Sequence, residues 1–252
     1  LRWIDTLFAP VPDSRVAEWL SQHVYAHRGL HGAGMPENSP AAFRGAVERV
    51  LGIECDVRLT RDGRAIVFHD ATLDRLTNRE GIVDQMNLDE LTTISFSEDG
   101  ETLPSLSDVL GLIAGKVPLL VEVKVDRGQS AATLCRAVER DLDGYAGKVA
   151  VMSFDPRVGA WFARHAPEIV RGLVATEKGR SGILESARRH LALWYARPQF
   201  LAYDVRDLPS SFAASQRGRG LPLLTWTVSS PELRERAKTH ADAPIAEGQG
   251  LA

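Results

Sequence analysis

Residues 51–70 read LGIECDVRLTRDGRAIVFHD, two apolar runs at 51–57 and 65–69 separated by the turn-like Thr60-Arg61-Asp62-Gly63. Short runs rich in Val, Ile and Phe between turn residues form strands. A parallel crossover needs a dozen or more residues, and this turn is far shorter. The two runs therefore pair as an antiparallel hairpin about Asp62-Gly63, and the second is an excursion from the sheet that holds the first. Working outward, further strands are expected at 23–27, 118–124, 149–154, 169–174, 200–204 and 222–228, with a weaker one at 241–246. Helical periods fall between them at 40–50, 105–115, 130–142, 156–165, 180–196, 209–218 and 231–239. Strand and helix alternating along a chain build a parallel sheet covered by helices. Setting aside the excursion leaves eight strands, the number that closes a barrel. The expected fold is a TIM-type (β/α)8 barrel with an antiparallel hairpin excursion.

The segment 71–104 is polar and without clean period, too long for a plain connection, and is expected to be a small inserted cap. No linker divides the chain, so a single domain over 1–252 is expected. With 44% hydrophobic and 25% charged residues, the composition excludes disordered and fibrous classes. The net charge of −3 argues against a nucleic-acid partner. No stretch approaches the ~20 apolar residues of a transmembrane segment, and the start LRWIDTLFAP lacks the pattern of a secretory signal. The two cysteines, Cys55 and Cys135, form no metal-type pair and suit a reducing, cytoplasmic setting. Leu1, Ile4 and Phe8 with Trp3 and Leu7 have the spacing of a short amphipathic helix, either closing one end of the barrel or making peripheral membrane contact.

Four constellations carry chemistry. His27-Arg28-Gly29 directly follows an apolar strand, where a parallel barrel keeps its active site. His27 can exchange a proton near neutral pH, and Arg28 presents a fork of donors that matches phosphate oxygens. Pro36-Glu37-Asn38-Ser39 follows at a helix start. Taken alone, the plainer reading is a loop histidine beside a surface arginine, with Asn38-Ser39 capping a helix. Glu54-Cys55-Asp56 lies within a strand, so Glu54 and Asp56 share one face while Cys55 packs on the other. Paired oxygen ligands suit Mg²⁺ or Ca²⁺, although a structural salt-bridge pair satisfies the same pattern. Hairpin pairing brings His69, in Phe68-His69-Asp70, beside those carboxylates unless it merely packs under the insertion. Glu122 and Lys124, in Val121-Glu122-Val123-Lys124, again share a face, and burying such a pair gains little stability by itself. Trp226 could wall a ligand or simply join the core. His31 is expected to be exposed, and His23, His165, His190 and His240 to lie at the surface or at helix ends.

These motifs, in this order, resemble the glycerophosphodiester phosphodiesterase family, a group of phospholipase-C-like barrels with an insertion after the His-Asp motif. The resemblance runs from residue 25 to 124 and continues weakly through SFDP and LLTWTV. It implies one divalent cation, Mg²⁺ or Ca²⁺, on Glu54, Asp56 and Glu122; His27 and His69 as the acid/base pair; and Arg28 and Lys124 facing the phosphate of a small-molecule phosphodiester. The implied reaction is hydrolysis to glycerol 3-phosphate and an alcohol. A lysophospholipase-D or sphingomyelinase-D-like lyase releasing a cyclic phosphate, and a non-catalytic phosphate-binding module, are the rivals. Ser39 stands where the family usually has Thr, and Ala241-Asp242-Ala243-Pro244 replaces the usual Thr-Asp before Pro.

Overall fold

A computed structural model describes residues 2–13, 18–178 and 182–252. Its fold is the expected TIM barrel, a closed eight-stranded parallel β-barrel with helices between strands. In chain order the first half comprises α1 (Arg2–Phe8), β1 (Tyr25–Ala26), α2 (Pro40–Glu48), β2 (Gly52–Leu59), β3 (Ala65–Val67), α3 (Leu88–Leu91), α4 (Leu106–Ile113), β4 (Leu119–Val123) and α5 (Ala131–Leu142). The second half comprises β5 (Val149–Ser153), α6 (Pro156–His165), β6 (Val170–Ala175), α7 (Ile183–Ala196), β7 (Phe200–Asp204), α8 (Ser211–Arg217), β8 (Leu223–Val228), α9 (Pro231–His240) and β9 (Ala243–Ala246). The weakly marked last strand begins two residues later than its sequence suggests and pairs in parallel with β8, Thr225 opposite Pro244. Among the described residues, six α-helices start at a Ser or Asp whose side chain accepts a hydrogen bond from the first turn: Ser39, Ser105, Ser130, Asp155, Ser210 and Ser230. Such caps satisfy amide groups that have no partner inside the helix. Pro40, Pro156 and Pro231 follow three of the caps, where a missing N–H costs nothing.

The chain forms two compact units, one of Tyr25–Val149 and one of Leu1–Val24 with Ala150–Ala252. In the first, β2 pairs in parallel with β1 and β4 and antiparallel with β3, Val57 opposite Val67, which is the hairpin excursion. The insertion carries its own apolar cluster of Leu73, Val83, Leu88, Leu91, Ile94, Phe96 and Leu103, packed on Ile66 and Phe68. It is held by isolated bridges such as Thr72 to Ile82 and Thr77 to Phe96 rather than by regular strands. Asp62 of the hairpin turn also accepts the Leu88 N–H at 3.0 Å, so the turn and the start of α3 are fixed together.

In the second unit α1 packs on α7, with Phe8 and Trp194 ring centroids 5.6 Å apart. Leu1, part of the amphipathic spacing, lies outside the described residues. Trp3 and Leu7 face solvent, and the helix is anchored instead by a polar residue, Asp5, only 1% exposed. Its carboxylate accepts from His190 Nδ1 at 2.7 Å and from Trp194 Nε1 and Gln216 Nε2 at 2.8 Å. His190 is therefore buried, not at the surface, because Asp5 supplies the partner that its own neighbourhood in sequence lacks. His31 is half-buried rather than exposed. Burial alone would raise the Asp5 pKa, but the three hydrogen bonds hold it below the usual carboxylate range. Asp5→Ala is expected to cost about 3 kcal/mol, the scale of leaving buried donors unpaired. Urea unfolding checks this, and the deficit should shrink as pH falls through the carboxylate range and wild-type Asp5 is protonated. A loss under about 1 kcal/mol would show that the network is not an anchor.

Candidate active site

Strand register assembles the site. Asp56 on β2 lies opposite Glu122 on β4, and Glu54 lies one pleat earlier on the same face. Cys55, pointing the other way, is fully buried, as alternation requires. One oxygen each of Glu54, Asp56 and Glu122 falls within a common 4.8 Å, and all three residues are buried. Lys124 Nζ lies 2.6 Å from Glu122 Oε1 and 3.1 Å from Asp56 Oδ1. Arg28 donates its backbone N–H to Glu54 Oε2 at 3.0 Å and places its guanidinium 3.2 Å from Asp56 and 2.7 Å from Glu37. Arg28 sits at φ 55°, and the following Gly29, at φ 82°, has no room for a side chain because a Cβ would lie 2.9 Å from Ala42. The turn after β1 thus swings Arg28 back over the carboxylates at the cost of a strained residue.

The three carboxylates differ electrostatically. Burial and the charges of Asp56 and Glu122 push the Glu54 carboxyl well above its usual range. Glu122 is also raised, by burial first, despite Lys124. Burial opposes ionisation of Asp56 too, but Lys124, Arg28, His69 and the Asn38 amide together hold it well below the ordinary value. Once all three are ionised, Glu54, Asp56 and Glu122 carry one negative charge more than Arg28 and Lys124 offset. A divalent cation would turn that excess into one positive charge, which a phosphodiester monoanion would neutralise. The residues therefore fit a hard cation bound by oxygen.

His69 follows β3 and stands next to the cluster, since the Phe68 N–H bonds the Asp56 carbonyl at 3.0 Å. Its Nδ1 is 2.7 Å from Asp70 Oδ1. Burial, then Lys124 and Arg28, lower its pKa against the pull of Asp56 and Asp70. His27 is half-buried directly after β1. Lys124, Arg28, His27, His69 and the three carboxylates thus all belong to the Tyr25–Val149 unit, as their motifs suggest. Trp226 belongs to the other unit, where it is half-buried near the end of β8, donates Nε1–H to the Ala202 carbonyl at 3.0 Å and meets Phe154 edge-on at 5.4 Å.

Several supporting residues complete the site, Asn38 and Asp70 within the quoted motifs and Arg75 outside them. Asn38, at φ 59°, donates to Asp56 Oδ2 at 3.0 Å and accepts the Asp56 N–H at 3.2 Å. Arg75, from the insertion, bonds Glu37 at 2.6 and 3.0 Å and Asp70 Oδ2 at 2.6 Å. Burial raises Asp70, but Arg75 and His69 bring it down to about 2. The insertion thereby steadies both Arg28, through Glu37, and His69, through Asp70.

Known proteins place this arrangement in context. The chain is 32% identical over 226 residues to a glycerophosphodiester phosphodiesterase of Caldanaerobacter subterraneus subsp. tengcongensis, covering 84% of this chain and 88% of that one. Its fold matches an Oleispira antarctica phosphodiesterase solved with the product sn-glycerol-3-phosphate, at TM-score 0.79 and 22% identity over 91% and 94% of the two chains. It also matches a glycerophosphodiester phosphodiesterase of Thermotoga maritima, at TM-score 0.71 and 23% identity over 88% and 93%. At those identities the structural likeness speaks for the barrel alone. The sequence is decisive: the model of the glycerophosphoryl diester phosphodiesterase family matches residues 27–245, from the first site histidine into the last strand. By that match the chain belongs to the glycerophosphoryl diester phosphodiesterase family.

Proposed function

We propose that this protein hydrolyses glycerophosphodiesters to glycerol 3-phosphate and an alcohol, using one divalent cation, Mg²⁺ or Ca²⁺, on Glu54, Asp56 and Glu122. The observation that carries the reading is the buried set of three carboxylates with oxygens within 4.8 Å, flanked by Arg28 and Lys124. The cation, when bound, supplies Lewis-acid stabilisation of charge on the phosphoryl oxygens. Arg28 and Lys124 orient the phosphate and share its charge. Asp70, ionised at neutral pH, can only accept, so His69 carries its ring proton on Nδ1 and keeps a lone pair on Nε2. His69 is thus set to take the proton of the nucleophile, water or the substrate's neighbouring hydroxyl, and His27 to protonate the leaving alkoxide; where the hydroxyl attacks, water then opens the cyclic phosphate to glycerol 3-phosphate.

Titrating chelator-treated protein calorimetrically tests the cation. One equivalent of Mg²⁺ or Ca²⁺ should bind, and turnover of glycerophosphocholine should return with it. Full turnover in the continued presence of excess chelator would refute the scheme.

A further inference from the structure

The Ala150–Ala252 unit contains a second feature that the reaction does not use. A cavity of about 660 Å³ opens between β6, α7 and α8, within the size range of small-molecule sites. Its walls combine polar groups with an apolar side of Phe154, Leu173, Val174, Ala192 and Phe212. Into it projects Arg189, whose side chain is only 18% exposed and whose guanidinium lies 5.8 Å from the centre of the Phe212 ring. Its buried Nε makes no hydrogen bond. Its ion-pair partner, Glu177, is 3.7 Å away and accepts from both Tyr203 Oη and Ser210 Oγ at 2.5 Å through its other oxygen. The remaining polar groups are engaged: Glu185 pairs with Arg188, and Thr176 donates to Asp207 at 2.9 Å. The 3.7 Å pairing with Glu177 is long, and the guanidinium keeps further N–H donors for a second acceptor. Arg188 and Ala192 also border a second groove along α7, where Leu191 and Tyr195 are each 58% exposed. The apolar wall therefore continues outward from the arginine.

We propose that this cavity binds a single-chain anionic amphiphile, its chain along the apolar wall and its carboxylate or phosphate on Arg189. A guanidinium fork matches either head group, and the apolar lining and outward groove match the chain. The site is independent of the catalytic reading, and its test requires no turnover.

Calorimetric titration of the intact protein with dodecyl phosphate, below its micelle concentration, should show one saturable site, with dodecanol at least ~10-fold weaker for want of the charged contact. Arg189→Gln should weaken dodecyl phosphate at least ~10-fold and leave dodecanol unchanged. Ala192→Trp, which fills the cavity from α7, should abolish both. Unchanged unfolding temperatures show that the variants are folded, and the Trp variant stands alone should the Arg variant not fold. Laurate and lauroyl lysophosphatidate, run in parallel, distinguish a free fatty acid from a lipid phosphate as the source, and tighter binding of either supports the site. Equal affinity for dodecanol and dodecyl phosphate, undiminished binding by Ala192→Trp, or no saturable binding would overturn the proposal.

Discussion

Replacing His69 with alanine is expected to lower glycerophosphodiester turnover by about 10²–10⁴-fold, the usual worth of a general base. The imidazole is kept neutral by burial and by the nearby Lys124 and Arg28, so Nε2 is ready to accept a proton without first losing one. Asp70 fixes the ring through Nδ1, Arg75 fixes Asp70 through a 2.6 Å bond, and Arg58 fixes the backbone by donating Nε–H to the His69 carbonyl at 2.6 Å. Because the pKa of His69 is lowered, activity lost by its protonation should fall away only below the ordinary imidazole value of about 6.5. His27→Ala should cost a comparable factor, and substrates with a more acidic leaving alcohol should rescue it but not His69→Ala. Stopped assays over a pH series check all three. Turnover within a few-fold of wild type in both variants would remove the histidines from the chemistry.

The second large effect separates two carboxylates that look equivalent in sequence. Asp56 is the counter-ion of Arg28 and Lys124 and is bonded twice to Asn38. Asp56→Ala leaves two partly buried cations short of their partner and should cost about 3–5 kcal/mol of stability in chelator. Glu54 is the opposite case. Its carboxyl is raised by burial and by Asp56 and Glu122, so ionised Glu54 opposes folding at any pH above its unfolded value. Glu54→Gln should therefore unfold at the same or a higher temperature than wild type in chelator at neutral pH. Both variants should lose the rise in unfolding temperature that Mg²⁺ or Ca²⁺ gives the wild type, since binding to the folded state alone stabilises it. Thermal unfolding with and without cation measures both effects. A Glu54→Gln protein much less stable in chelator than wild type would mean that the cluster is a structural ion-pair network.

What was legible in the sequence was whatever obeys a local period or spacing. The short Thr60–Gly63 turn forces the β2–β3 hairpin, and alternation along β2 puts Glu54 and Asp56 on one face and Cys55 on the other. Parallel register then supplies Glu122 as the neighbour of Asp56. Contacts between loops carry no such signal. Arg75 meets Glu37 from 38 residues away inside an aperiodic insertion, and Asn38, which as a helix-start residue resembles a cap, instead turns its amide to Asp56. Asp5 reaches His190 across 185 residues, so the sequence around either gives no hint of a buried pair. The weak Ala-Asp-Ala-Pro signal of the last strand reflects Asp242, which is outside β9 and accepts the Leu223 N–H at 2.8 Å.

The most direct measurement is phosphorus NMR of the chelator-treated protein with glycerophosphocholine, before and after Mg²⁺ or Ca²⁺ is added. Glycerol 3-phosphate should grow at the expense of the diester resonance only after the cation is added. A cyclic phosphate that accumulates without opening would contradict hydrolysis and make the protein a lyase, and an unchanged diester signal with either cation would contradict the assigned substrate class.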